Sequence, residues 1–112
     1  MAKVSITKKL EDEINKIFKK ESTKIFESMR ELEENPHKGK PVGQVSGIVI
    51  KELKYNSYRF YFITNGFKIK MLQKEELEDL LITFVRMSNK KDQQKVIDEI
   101  KIILRRVGEE GF

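Results

Sequence analysis

Cysteine and tryptophan are absent from this 112-residue chain, histidine occurs once and proline twice. Without cysteine there is no disulfide framework and no thiolate metal site. A single histidine, His37, excludes a histidine metal cluster. No apolar run reaches the ~18 residues needed to cross a bilayer as a helix, and the opening MAKVSITKKLEDE lacks the apolar core of a signal peptide. Glycine-rich phosphate loops, nucleotide fingerprints and a Ser/His/Asp set are also missing, so ATP-dependent and acyl-transfer chemistry find no support. These absences predict a cytoplasmic protein with no metal, no cofactor and no membrane contact. The length fits one domain over 1–112.

What the chain has is charge: 23 Lys and Arg against 18 Asp and Glu, a net +5. Its distribution says more than its sum. Residues 36–59 hold Lys38, Lys40, Lys51, Lys54 and Arg59 against Glu52 alone. Residues 86–106 hold Arg86, Lys90, Lys91, Lys95, Lys101, Arg105 and Arg106 against Asp92, Asp98 and Glu99. Brought together in space, the two stretches would form one basic face suited to a polyanion. Scattered, they would only keep a small domain in solution.

Periodicity sets the order of elements. KVSIT (3–7) alternates as a short strand. From Lys8 a helical period takes over, with Leu10, Ile14, Ile17 and Phe18 on one face. Ser22 or Thr23 is placed to cap a second helix with the stripe Ile25, Phe26, Met29 and Leu32. Asn35-Pro36 stops it, because the residue before proline avoids helical angles. The stretch 35–47 reads as a long Gly/Pro/Lys loop, and an exposed His37 within it as incidental. Strands follow at 47–54 and 58–64, and Asn65-Gly66 signals a hairpin into a further strand at 67–72. The acidic 73–80 reads as a short helix or excursion. LLITFVRM (80–87) reads as a strand covered on both faces. A last helix opens at Asn89 or Asp92, buries Val96, Ile97, Ile100, Ile103, Leu104 and Val107, and ends at Gly108. The expectation is an α+β fold: a twisted, mostly antiparallel sheet packed against two N-terminal helices and one C-terminal helix, in β-α-α-β-β-β-α order.

The segment KELKYNSYRFYF (51–62) carries the chemistry. A two-residue loop at Asn56-Ser57 sets Tyr55 opposite Tyr58 and Lys54 opposite Arg59, ~5 Å apart and on one sheet face. Alternation adds Glu52 and Tyr61 to that face and sends Leu53 and Phe60 to the other. Two adjacent cations suit a phosphate. RNA cleavage without a metal needs a base for the ribose 2′-OH, cations for the charge gathering on phosphate, and an acid for the leaving oxygen. Glu52 or a lysine could serve as base, and Arg59 stays charged at any working pH. The aromatics around the turn could stack bases, although alternating aromatics mostly pack a core.

These pieces resemble the RelE/ParE superfamily of type II toxin–antitoxin toxins, most closely its phage-derived, HigB-type branch. LEENPHKGKPV (32–42) is similar to the family's helix end and NP-x-x-G loop. KELKYNSYRFYF resembles its E-L-R…Y-R hairpin, and NKKDQQKVIDEI (89–100) the Lys-Lys-x-Gln entry to its last helix. The resemblance implies a ribosome-dependent mRNA endonuclease that inhibits translation and is neutralised by a small antitoxin, with a homodimer left open. Its motif positions fall on Arg59, Lys54 and Glu52, expected to be catalytic, and on Lys90 and Lys91; Lys51, Tyr58, Arg86 and Lys95 join these two lysines as expected RNA contacts. It places the antitoxin helix in an apolar groove between the N-terminal helices and the sheet. A ParE-like, non-enzymatic poison of DNA gyrase, or a weakened RNA- or partner-binding relative, are the alternatives. The sequence departs from RelE itself where Ile50 and Glu52 stand for two lysines, and no tyrosine follows Tyr61.

Overall fold

Strand alternation and two tight turns organise the molecule, whose computed structural model describes residues 2–65 and 81–112. In order come β1 (Lys3–Ile6), α1 (Lys8–Phe18), α2 (Ser22–Arg30), β2 (Lys40–Val45), β3 (Ile48–Tyr55), β4 (Tyr58–Asn65), β5 (Leu81–Asn89) and α3 (Gln93–Arg106). The strands form one mixed sheet in the order β1-β5-β4-β3-β2. β1 runs parallel to β5, and the other neighbours are antiparallel. This is an α+β fold, as expected. The turn at Asn65-Gly66, the strand expected at 67–72 and the acidic segment 73–80 lie outside the described residues.

Two cores sit on opposite sheet faces. On one, α1 and α2 bury Leu10, Ile14, Ile25, Met29 and Leu32 against Leu53, Phe60, Phe62, Ile82 and Phe84. On the other, α3 lays Ile97, Ile100 and Leu104 over Val45, Ile50, Tyr61, Ile63 and Val85. The sheet is therefore covered on both sides, which is why β5 reads as an almost continuous apolar run. A register shift leaves Val85 of β5 unpaired between the Tyr61–Arg86 and Phe62–Phe84 pairs, while Phe84 enters one core and Val85 the other. The apolar stripes of α1 and α2 meet the sheet, so the expected groove between them and the sheet is filled by the chain's own core.

Several local expectations change. The stretch 35–47 is not all loop, because β2 pairs with β3 along the sheet edge. Pro41 is tolerated there because β2 has no neighbour on its outer side among the described residues. The signal lay in Ser46-Gly47, whose φ values of 50° and 82° make the positive-φ pair that a tight hairpin needs. Ser22 does not cap α2; it lies inside the helix and its hydroxyl donates to the Ile14 carbonyl at 3.3 Å, tying α2 to α1. Thr7 does cap α1, accepting from the Leu10 amide at 3.3 Å. Ile17 and Val107 are exposed rather than buried. Ile17 sits at the margin of the α1 stripe, and Val107 follows the last turn of α3, where Gly108 at φ +84° closes the helix.

Candidate functional site

Strand register composes the polar surface. One row across the sheet holds Lys40, Glu52, Tyr61 and Arg86; the next holds Lys54, Arg59 and Ser88. Residues paired across strands share a sheet face, here the α3 face, since Ile50 on β3 and Ile63 on β4 alternate in phase with them. From the end of β5, α3 turns back and brings Lys101 against Gly43 on β2. The two polar rows lie between the apolar patch under α3 and the Asn56-Ser57 turn. The expected pairs Lys54–Arg59, Tyr55–Tyr58 and Leu53–Phe60 all form.

Arg59 is the centre of this surface. Its side chain is only 9% exposed, and its Nη1 donates to the carbonyls of Asn56 at 3.3 Å and Tyr58 at 3.0 Å. Asn56 adopts φ +53° in the tight turn that brings these carbonyls within reach. Arg59 Nε lies 4.0 Å from Glu52 Oε1, the long limit of an ion pair. Glu52 is 12% exposed, and its Oε2 is buried with no hydrogen-bond partner among the described residues. The carboxylate thus retains the capacity to accept a proton or a hydrogen bond. Beside it Tyr61 is fully buried, with its hydroxyl 2.8 Å from Ser88 Oγ. Burial pushes the Tyr61 phenol upward, the Ser88 hydrogen bond opposes this, and the Glu52 charge reinforces it. Lys54 is exposed, with no carboxylate within 4.0 Å among the described residues. The arrangement offers one nearly buried carboxylate with an unpartnered oxygen, one fixed cation and one exposed cation.

The other expected site residues divide. Asn89 pairs with Tyr58, so Lys90 and Lys91, both exposed, leave the sheet at the same end as the Asn56-Ser57 turn. Lys95 is exposed in the first turn of α3. Arg86 is drawn elsewhere: its Nη1 donates to the Val85 carbonyl at 2.7 Å and its guanidinium lies 5.1 Å from the Phe112 ring. It lines a cleft of about 200 Å³ with Lys9, Glu13 and Glu99, between α1 and α3. Tyr58 and Lys51 face the opposite side of the sheet from Arg59. Tyr58 packs edge-on against Phe18 at 4.9 Å. Sequence reasoning missed Lys40 and Ser88, which flank Glu52 and Arg59 in register. Reading Ser46-Gly47 as a hairpin turn would have found Lys40.

Lys51 is the larger surprise. It is 5% exposed, its Nζ donates to the His37 carbonyl at 3.1 Å, and it lies 5.7 Å from the centre of the Phe62 ring. A lysine read as RNA-binding instead anchors the 35–39 segment onto the sheet. Burial lowers its pKa from the ordinary 10.5. The unfolded chain then holds this proton to higher pH than the folded one, so stability from this group rises with pH through the lowered value and levels off near 10.5. Lys51→Met should remove that rise. As pH rises toward 10.5, the wild type should gain stability relative to Lys51→Met in urea melts; parallel pH profiles would refute the burial argument.

Compared with protein-family models, curated proteins and solved structures, the chain gives no match.

Proposed function

We propose that this chain is a RelE/ParE-type toxin that cuts mRNA on the translating ribosome and is held in check by a small antitoxin. On this reading the α+β fold is of that superfamily's type. The observation that carries the proposal is the register that sets Lys54 beside Arg59 next to Glu52, a nearly buried carboxylate whose Oε2 has no hydrogen-bond partner among the described residues. Glu52 takes the proton of a ribose 2′-OH, and the freed oxygen attacks the adjacent phosphorus. A cyclic 2′,3′-phosphate forms while the bond to the 5′-oxygen breaks, and that oxygen takes a proton from an exposed ammonium, for which Lys54 is in position. Arg59, nearly buried and held by two carbonyls, supplies fixed positive potential rather than a free bidentate clamp. Lys90 and Lys91 steer the RNA backbone at the same end of the sheet.

The test is purified protein added to ribosomes translating a defined mRNA, with cleavage mapped by primer extension. Cuts within the translated frame are expected, lost in Lys54→Ala. Intact mRNA with every ribosome tried would refute the proposal. Intact mRNA together with DNA breakage on expression would assign the gyrase alternative instead.

A further inference from the structure

The end of the sheet at Asn56-Ser57 carries a second set of cations on the face away from Glu52. Phe18, the last residue of α1, packs against Tyr58 at 4.9 Å, Phe60 at 6.0 Å and Tyr55 at 6.2 Å. Three residues on, Glu21 Oε2 accepts a hydrogen bond from the Tyr55 hydroxyl at 3.4 Å. The link between α1 and α2 is thereby pinned over the hairpin tip at both its ends. Lys19 and Lys20 lie between the pins, both exposed and with no carboxylate within 4.0 Å among the described residues.

Lys19 has φ 52° and ψ −112°, a backbone conformation that glycine adopts freely and a lysine does not.

We infer that single-stranded RNA crosses the hairpin tip, with Lys19 and Lys20 holding its backbone on the α1 face and Lys54, Lys90 and Lys91 holding it on the other. The inference rests on RNA as the polyanion of the site proposed above. Tyr55 and Tyr58, each half-buried at the tip between these cations, form the ledge on which bases stack. Single strands favour this geometry because their base faces are open, whereas a duplex presents only phosphates and groove edges. Glu21, the carboxylate of the link, is engaged by the Tyr55 hydroxyl, and Asp92 is the only carboxylate in the exposed segment 89–92. The track therefore wraps around the sheet end instead of staying on one face.

The experiment measures binding of a fluorescent decauridylate to the full chain by anisotropy across a salt series, with no ribosome present. Lys19→Glu combined with Lys20→Glu should weaken binding at least tenfold and flatten the salt slope, by ~0.7 for each phosphate no longer neutralised. Arg105→Glu with Arg106→Glu, at the far end of α3, should change affinity less than twofold. Lys19→Gly should separate two effects: a melting midpoint raised by several degrees through relief of backbone strain, and weaker RNA binding through loss of charge. The inference is overturned by wild-type protein that does not bind decauridylate, or by Lys19/Lys20 reversal that leaves affinity unchanged. It is also overturned if the Arg105/Arg106 control is equally damaging, or if a blunt RNA duplex binds as tightly as the single strand. Because the readout is binding alone, a failed cleavage assay bears on the catalytic proposal and leaves this result standing.

Discussion

On the proposed mechanism, Lys54→Ala should lower RNA cleavage by about 10²–10³-fold and leave the melting midpoint almost unchanged. The reason is positional. Lys54 is exposed and makes no ion pair among the described residues, so the fold loses little with it. A proton donated to the departing 5′-oxygen is needed in the transition state and not in the ground state. Arg59→Ala should behave differently, losing both cleavage and stability. Its side chain is 9% exposed and shares the sheet face with Glu52, whose Oε2 is already buried without a partner among the described residues. Removing the guanidinium strands that carboxylate, a defect worth about 3 kcal/mol. Adding Glu52→Gln to Arg59→Ala should recover part of the stability and none of the cleavage. Denaturant melts and single-turnover cleavage on the same three proteins separate the roles. Full cleavage by Lys54→Ala would remove the exposed cation from the mechanism.

Phe62→Ala should be among the most destabilising single changes in the sheet, at about 3–5 kcal/mol. The ring is fully buried and lies 4.8 Å from Phe84, in the core beneath α1 and α2. It also floors the 35–39 segment. A Cβ added at Gly39, which sits at φ +103°, would fall 2.8 Å from the ring, so the backbone rests directly on it. The ammonium of Lys51 lies 5.7 Å away on the same ring. Truncation therefore opens a cavity and unseats a buried cation together. Against a total stability of about 5–15 kcal/mol, such a loss brings the folded state near its limit. The urea midpoint should fall steeply with little change in slope. Ile17→Ser, at a position 48% exposed on α1, should shift stability by less than about 0.5 kcal/mol. A Phe62→Ala loss below about 1 kcal/mol would mean that this core is not close-packed around the ring.

The hairpin was legible because its rules are local. A two-residue loop fixes register, and register fixes which side chains share a face, so Lys54 opposite Arg59 followed from spacing alone. The helices of the first 35 residues were legible for the same reason, since a period of 3.6 is read within one element. β2 was missed because proline and two glycines near it look like loop chemistry, while edge-strand pairing is decided by a neighbour. Lys51 was misplaced for a related reason. Period-2 alternation assigns it to the face opposite Lys54, but its burial depends on the 35–39 segment folding over it. Ser88 became part of the site only through pairing between β4 and β5, which are far apart in sequence.

The sequence by itself determined the alternation of helix and strand, the absence of thiolate and histidine-cluster metal sites, and the pairing of two cations across one turn. Each is a property of composition or of residues within a few positions of one another. Only the tertiary structure decided that β1 joins β5 in parallel, that helices cover both faces, and that Lys40 and Ser88 flank Glu52 and Arg59. It also placed Lys19 and Lys20 across the hairpin tip from Lys54. These depend on contacts between distant segments, whose formation balances loop-closure entropy against buried area. No local pattern encodes that balance, and the placement of the molecule's cations emerges from it.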